Sequence, residues 1–127
     1  MSTIFTKIIR GDVHAHKIYE DEEVFAFLDI DQSKAGHILV VPKLEVDKFY
    51  DVPDELYVKL FLVAKKLAIA LEKASSCRVQ MGLTGVDVPH THIHLTPIEK
   101  IHGNIYGVNA LDGLSDTEIA AKIRSYL

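Results

Sequence analysis

Three of the seven histidines of this 127-residue chain stand at alternate positions: His90, His92 and His94. Thr91, Ile93 and Leu95 fill the positions between and after them, and each is β-branched or apolar. That period of two predicts a β-strand. A strand sends alternate side chains to opposite faces, so the three imidazoles are expected on one face, roughly 6.6 Å apart along the chain. Ile93 and Leu95 would point the other way, into the core. Three rings in strict alternation fit a metal cluster, or a catalytic constellation with one nucleophile and two helpers. Thr91, being polar, leaves room for a chemically silent solvated edge strand.

His92 is the central ring, the one with a histidine two residues away on each side. A nucleophilic imidazole attacks through one nitrogen while an acceptor holds the other as N–H. Its neighbours can donate to reacting oxygens or protonate a leaving group. Imidazole attacks phosphorus readily at neutral pH and forms a labile phosphoramidate, provided donors meet the charge that develops on the phosphoryl oxygens. His94 is the nearest such donor. Gly82 and Gly85, just upstream, would let backbone amides approach a phosphate.

The elements that must hold these rings can be read along the chain. Ile4, Phe5, Ile8 and Ile9 have helical spacing, stopped by Gly11. Lys17-Ile18-Tyr19 and Val24-Phe25-Ala26-Phe27-Leu28 predict two strands around an acidic turn. The second runs out into Asp29-Ile30-Asp31, where a sheet can present ligand contacts. Gly36-His37-Ile38-Leu39-Val40-Val41-Pro42 is continuously apolar after His37 and predicts a central strand. A short helical turn is expected at 46–50. Pro53 and the acids beside it suit the start of the main helix, roughly 54–74, whose stripe is Leu56, Leu60, Ala64, Leu67 and Leu71. Arg78-Val79-Gln80-Met81 predicts a fourth strand, joined tightly to the histidine strand. After Pro97 the chain reads as loop, with glycines 103, 107 and 113. Ser115 and Glu118 then form a capping box for a short closing helix through Ile119, Ile123 and Leu127. Strands outnumber helices without alternating with them, so the class is α+β with a mostly antiparallel sheet.

The length fits one domain, 1–127. A net charge of −4 argues against wrapping a nucleic-acid polymer, though not against holding a small nucleotide. One cysteine, Cys77, excludes an internal disulfide and a cysteine-based metal site. No signal segment or membrane span is evident, and the cytoplasm is the expected compartment.

Taken in order, several stretches resemble the histidine triad (HIT) family of nucleotidyl hydrolases and transferases. They are Ile4-Phe5-Thr6-Lys7-Ile8-Ile9-Arg10-Gly11, Lys17-Ile18-Tyr19-Glu20-Asp21, Ala26-Phe27-Leu28-Asp29-Ile30, Gly36-His37-Ile38-Leu39-Val40-Val41-Pro42-Lys43 and His90-Thr91-His92-Ile93-His94-Leu95. The resemblance covers about 3–98 and leaves 99–127 as loop and C-terminal helix. It implies a HIT-like fold: a five-stranded antiparallel sheet with one long helix and short terminal helices. It also implies a homodimer with one continuous sheet, and cleavage at the α-phosphate of purine nucleoside phosphoramidates or dinucleotides.

By the same resemblance, His92 is the nucleophile, His94 contacts phosphate, and His90 and His37 support the network. Asp29 holds the ribose hydroxyls; Ile4, Phe5, Ile8, Phe27 and Ile30 line the pocket for the base. Some family members hold a structural zinc with two cysteines near the first helix, a histidine after the third strand and the first triad histidine. Here those positions are Thr3, Thr6, Glu45 and His90, so no metal or other cofactor is expected.

Other departures lie near the triad. Val86-Asp87-Val88-Pro89 replaces the usual polar phosphate contact, and the usual asparagine before it is missing. Val13-His14 stands for the frequent Ile-Pro. A second reading therefore stands beside the hydrolase: a nucleotide-binding regulatory module with little turnover. A third, a cupin-like metal enzyme using His90, His92 and Glu99, is disfavoured by the long spacing to Glu99.

Overall fold

The structure is a computed structural model, and it describes residues 2–83, 87–101, 103–105 and 107–127. Helix α1 is Ile4–Arg10, β1 Lys17–Glu20, β2 Val24–Leu28, β3 Ile38–Pro42, α2 Asp54–Ser75, β4 Arg78–Gly82 and β5 Ile93–Ile98. Two short strands follow, β6 Lys100–Ile101 and β7 Asn104–Ile105, and then α3 Asp116–Arg124. The five long strands form one sheet in the order β1-β2-β3-β5-β4, antiparallel at every step. The expected α+β, HIT-like architecture is therefore present, with β3 at its centre.

Each element has a local cause. Thr3 caps α1 by accepting from the Thr6 amide, and Gly11, at φ 84°, turns the chain out of the helix. Ser115 and Glu118 close the expected capping box on α3. Helix α2 has Pro53 at its N-cap and no side-chain cap at all. It is held by burial: Leu60, Ala64, Leu67 and Leu71 are among its fully enclosed residues, and each large aliphatic chain so buried contributes about 1.5–3 kcal/mol.

The sheet separates two apolar clusters. Ile18, Val24, Ala26, Leu28, Ile38, Val40, Ile93 and Leu95 face α2 and the α3 residues Ile119 and Ile123. On the other face Phe25, Phe27, Leu39 and Val41 pack with Phe5 of α1. All five residues of β2 and of β3 are buried, which is why both strands are continuously apolar in sequence. No helix among the described residues is long and apolar enough to cross a membrane.

Four expectations need correction. The histidine strand is shorter than its alternating pattern: β5 begins at Ile93, so His94 lies in the ladder while His90 and His92 precede it. Tertiary bonds shape that entry instead, the Thr91 amide donating to Val46 O at 2.6 Å. Thr91 does not mark a solvated edge. It is 1% exposed, its hydroxyl donates to Val46 O at 2.9 Å, and β5 lies between β3 and β4. The stretch after Pro97 is not all loop, because β6 and β7 pair antiparallel. The helical turn expected at 46–50 falls at Phe49–Asp51 as a single 3₁₀ turn. β4 and β5 pair antiparallel as expected; Thr84, Gly85 and Val86, in the connection between them, lie outside the described residues, and with them the expected role of Gly85.

Candidate active site

His90 and His92 are both buried, and their rings share a side of the chain. Phe5 of α1 packs edge-on against both, with centroids 5.8 Å from His90 and 5.0 Å from His92, while His92 and His94 lie 4.9 Å apart. The hydrogen bonds fix two tautomers. His92 Nδ1 lies 2.7 Å from the His90 carbonyl oxygen, which can only accept. His92 Nδ1 therefore carries the proton, and Nε2 keeps its lone pair. His90 Nε2 lies 2.8 Å from the Pro42 carbonyl and likewise must donate. His90 Nδ1 is then an acceptor, met by the Thr3 hydroxyl at 2.9 Å. Burial holds His90 below the ordinary imidazole range, in keeping with this neutral form.

His94 is reached from the other side. His37 Nε2 lies 2.9 Å from His94 Nδ1, and His37 Nδ1 faces Asp29 Oδ2 at 3.3 Å. Gln32, which sequence reasoning passed over, and Gly36, read there only as the start of an apolar run, hold this geometry. Gln32 donates from Nε2 to the carbonyls of Asp29, at 2.8 Å, and His37, at 3.0 Å, and its Oε1 accepts from the Gly36 amide. Gly36 takes φ 98°, and a Cβ there would stand 2.8 Å from Leu111 Cδ1 and 2.9 Å from Leu71 Cδ1. Only glycine combines that backbone with that packing immediately before His37. Burial lowers the pKa of His94, with His92 and His37 adding to the effect and Asp29 and Asp87 opposing it.

His92 and His94 lie in a cleft of about 530 Å³, the size of a small-molecule site. The sequence-derived residues Ile4, Phe5, Ile8, Phe27, Asp29 and Ile30 all line it. Ile30 is 98% exposed and forms a lip rather than a wall. His37 and His90 stand behind the cleft rather than on its surface, His37 through His94 and His90 through His92. Gly82 pairs with His94 across β4 and β5, and among the described residues a Cβ there would meet nothing within 4 Å. Asp87 does line the cleft, as do His14, His16 and Asp116. The last of these comes from the tail, and no local pattern pointed to it, because it reaches the cleft through the packing of α3 on β1 and α2.

The positions that bind zinc in some HIT proteins come together here, but on different chemistry. The Thr6 hydroxyl donates to Glu45 Oε1 at 2.6 Å, and the Thr3 amide donates to the same oxygen at 2.8 Å. With the Thr3–His90 bond this makes a closed polar cluster. It contains no thiolate, and the one imidazole nitrogen that would face a metal already accepts a hydroxyl proton. These residues do not fit a tetrahedral zinc site. Asp29, His37 and His94 also present donor atoms within 4.8 Å of one another. Both nitrogens of His37 are engaged within that group, which makes it a chain of contacts rather than a set of free ligands.

Fold and site together define an α+β protein with an imidazole-floored cleft on one sheet face. The HIT domain model matches residues 10–101. The protein named hit of Bacillus subtilis is 35% identical over 96% of this chain and 94% of that relative. An adenosine 5'-monophosphoramidase of Saccharomyces cerevisiae is 35% identical over 74% of this chain and 61% of the yeast protein. Among solved structures, a HIT-like protein of Bartonella henselae with an unknown ligand aligns at TM-score 0.83 and 31% identity, covering 99% of this chain and 96% of the other. A zinc-bound histidine triad family protein of Mycobacterium smegmatis aligns at TM-score 0.81 and 26% identity, covering 99% and 93%. The chain belongs to the histidine triad (HIT) family.

Proposed function

We propose that the chain is a nucleotide hydrolase that cleaves at the α-phosphate of purine nucleoside phosphoramidates or dinucleotides. The observation that carries this reading is the His92 ring, its Nδ1–H tied to the His90 carbonyl and its Nε2 left as the lone-pair nitrogen of a cleft residue. In the first step His92 Nε2 bonds to phosphorus as the bond to the leaving group breaks, and the leaving group takes a proton from His94. In the second, water bonds to phosphorus, the P–N bond breaks, and the water's proton returns to His94. The apolar wall of Ile4, Phe5, Ile8 and Phe27 suits a purine ring, and the Asp29 carboxylate suits a ribose diol. His90 and His37 act through the rings they support. No step calls for a metal. The yeast relatives named adenosine 5'-monophosphoramidase, from Saccharomyces cerevisiae and Schizosaccharomyces pombe, favour the same substrate class.

Turnover of adenosine 5'-phosphoramidate by the wild type, abolished in His92→Ala and His92→Asn with nucleotide affinity kept within about tenfold, is the expected result. Undiminished hydrolysis by either variant refutes the assignment of His92. The same reading carries a homodimer, supported by an uncovered apolar stripe on α2 at Val58, Leu62 and Ile69.

Asp87 favours the second reading, a binding module with little turnover, because it places negative charge in the cleft where a phosphate would lie. Tight nucleotide binding without turnover by the wild type, with turnover gained in Asp87→Ser, would decide for it.

A further inference from the structure

We propose that Asp29, His37 and His94 act as one chain, in which the carboxylate that meets the ribose also governs the proton that His94 gives to the leaving group. This rests on the hydrolase reading above and adds a positioning role for Asp29 and His37.

Asp29 Oδ2 lies 3.3 Å from His37 Nδ1, so the proton of a neutral His37 is favoured on Nδ1, beside the carboxylate. His37 Nε2 then has a lone pair and accepts from His94 Nδ1–H across 2.9 Å. In that state His94 Nε2 is bare. A bare nitrogen can accept a proton but cannot donate one to a phosphoryl oxygen or to a departing amine. Donation needs one more proton in the His37–His94 pair, which makes the pair cationic.

The surroundings decide how easily that proton is held. Against it stand burial and the neighbouring His92 ring, beside His94 on the same run of chain. For it stand Asp29 at the end of the chain and Asp87 from the segment before the triad. Asp31 and Lys34, on the loop leading to His37, line a second small cleft together with His37 and oppose each other in charge. Asp29 is at contact distance from His37 and is braced there, its carbonyl receiving Gln32 Nε2 and its Oδ1 receiving the Asp31 amide.

The same carboxylate lines the main cleft. When ribose hydroxyls donate to Asp29, they draw its charge away from His37. The pair then holds its extra proton less tightly, and His94 Nε2–H becomes a better acid at the moment the substrate is in place. The proton passes from His94 Nε2 to the leaving group as the P–X bond breaks. The attacking water returns one to the same nitrogen in the second step. A substrate's sugar would thus be read as rate as well as affinity.

The test compares two substrates over roughly pH 5–9. The amine of adenosine 5'-phosphoramidate must leave with a proton, whereas the p-nitrophenyl ester of adenosine 5'-monophosphate releases a phenolate that needs none. Asp29→Asn and His37→Gln are expected to lose at least about tenfold more kcat on the phosphoramidate than on the ester. The pH profile of Asp29→Asn on the phosphoramidate is expected to shift to lower pH. If Asp29→Asn raises KM equally on both substrates and leaves the kcat ratio and pH profile unchanged, Asp29 is a ribose contact only and the proposal is wrong. A second measurement needs no turnover: ring-nitrogen NMR titration of His94 with saturating adenosine or 2',3'-dideoxyadenosine. Adenosine is expected to lower the His94 pKa while the dideoxy compound leaves it in place; equal effects of the two overturn the coupling. A wild type that hydrolyses neither substrate refutes the hydrolase reading alone, and the titration still decides on the chain.

Discussion

Replacing Thr3 with valine removes a single hydroxyl and keeps the shape of the side chain. That hydroxyl donates to His90 Nδ1 at 2.9 Å and accepts from the Thr6 amide at 3.2 Å as the cap of α1. His90 has no exposed surface, so its Nδ1 would become a buried acceptor without a partner. Such a loss costs about 1–3 kcal/mol, and loss of the cap adds about 1 kcal/mol. The expected destabilisation is about 2–4 kcal/mol, which for a chain of this length lowers Tm by roughly 6–20 °C. Thr3→Ser keeps both bonds and is expected to stay near the wild type. Urea unfolding of the three proteins, with adenosine 5'-phosphoramidate turnover measured alongside, gives both effects. Turnover should fall in Thr3→Val, because an unpinned His90 no longer presents its carbonyl to His92 Nδ1 in one orientation. A Thr3→Val protein within about 0.5 kcal/mol of the wild type would show that this hydroxyl does not hold His90, and the account of the polar cluster would fail.

Four further outcomes are expected. Rebuilding the metal site by Thr3→Cys, Thr6→Cys and Glu45→His together should create stoichiometric zinc binding with His90, read by elemental analysis, while the wild type purifies without zinc and is indifferent to EDTA. Stability should fall from about pH 7 to pH 5: folding keeps His90 and His94 below the ordinary imidazole value, so the unfolded chain binds more protons, and their contribution is present above about 6.5 and lost on acidification. Asp21 does not act in that window; although burial opposes its charge, the Tyr19 hydroxyl, the Glu23 and Val24 amides and Lys59 bring it down to about 2, so its loss comes only in stronger acid. A flat Tm between those two pH values, or one unaltered in slope by His94→Asn, would contradict the imidazole assignment. Gly36→Ala should cost about 1–3 kcal/mol, since the residue would meet both a positive φ and the Leu111 methyl, and chemical denaturation would show it. Light scattering should give a dimer, converted to monomer by Leu62→Glu on the exposed α2 stripe; a monomeric wild type would exclude the dimer.

Periodicity alone determined most of the framework of this protein. The continuous apolar runs of β2 and β3, the stripe of α2 and the capping box of α3 each carry their signal within a few residues, because strand, helix and cap are local bonding patterns. His90, His92 and His94 pointed to the proposed chemistry for the same reason: spacing on an extended chain largely fixes the side on which side chains emerge. What local patterns could not carry was everything settled between distant segments. The Thr3 hydroxyl and His90 are 87 positions apart, and Asn109 Nδ2 reaches Ala35 O across 74. The burial of Thr91 depends on Val46 and Asp47, and the place of Asp116 at the cleft depends on how α3 packs. Even the tautomers of His90 and His92 follow from which carbonyl each ring meets. The sequence by itself determined which groups could do chemistry and that their rings would emerge on one side. The tertiary structure decided which nitrogen holds each proton, because a ring's protonation is set by the partners that folding brings to it.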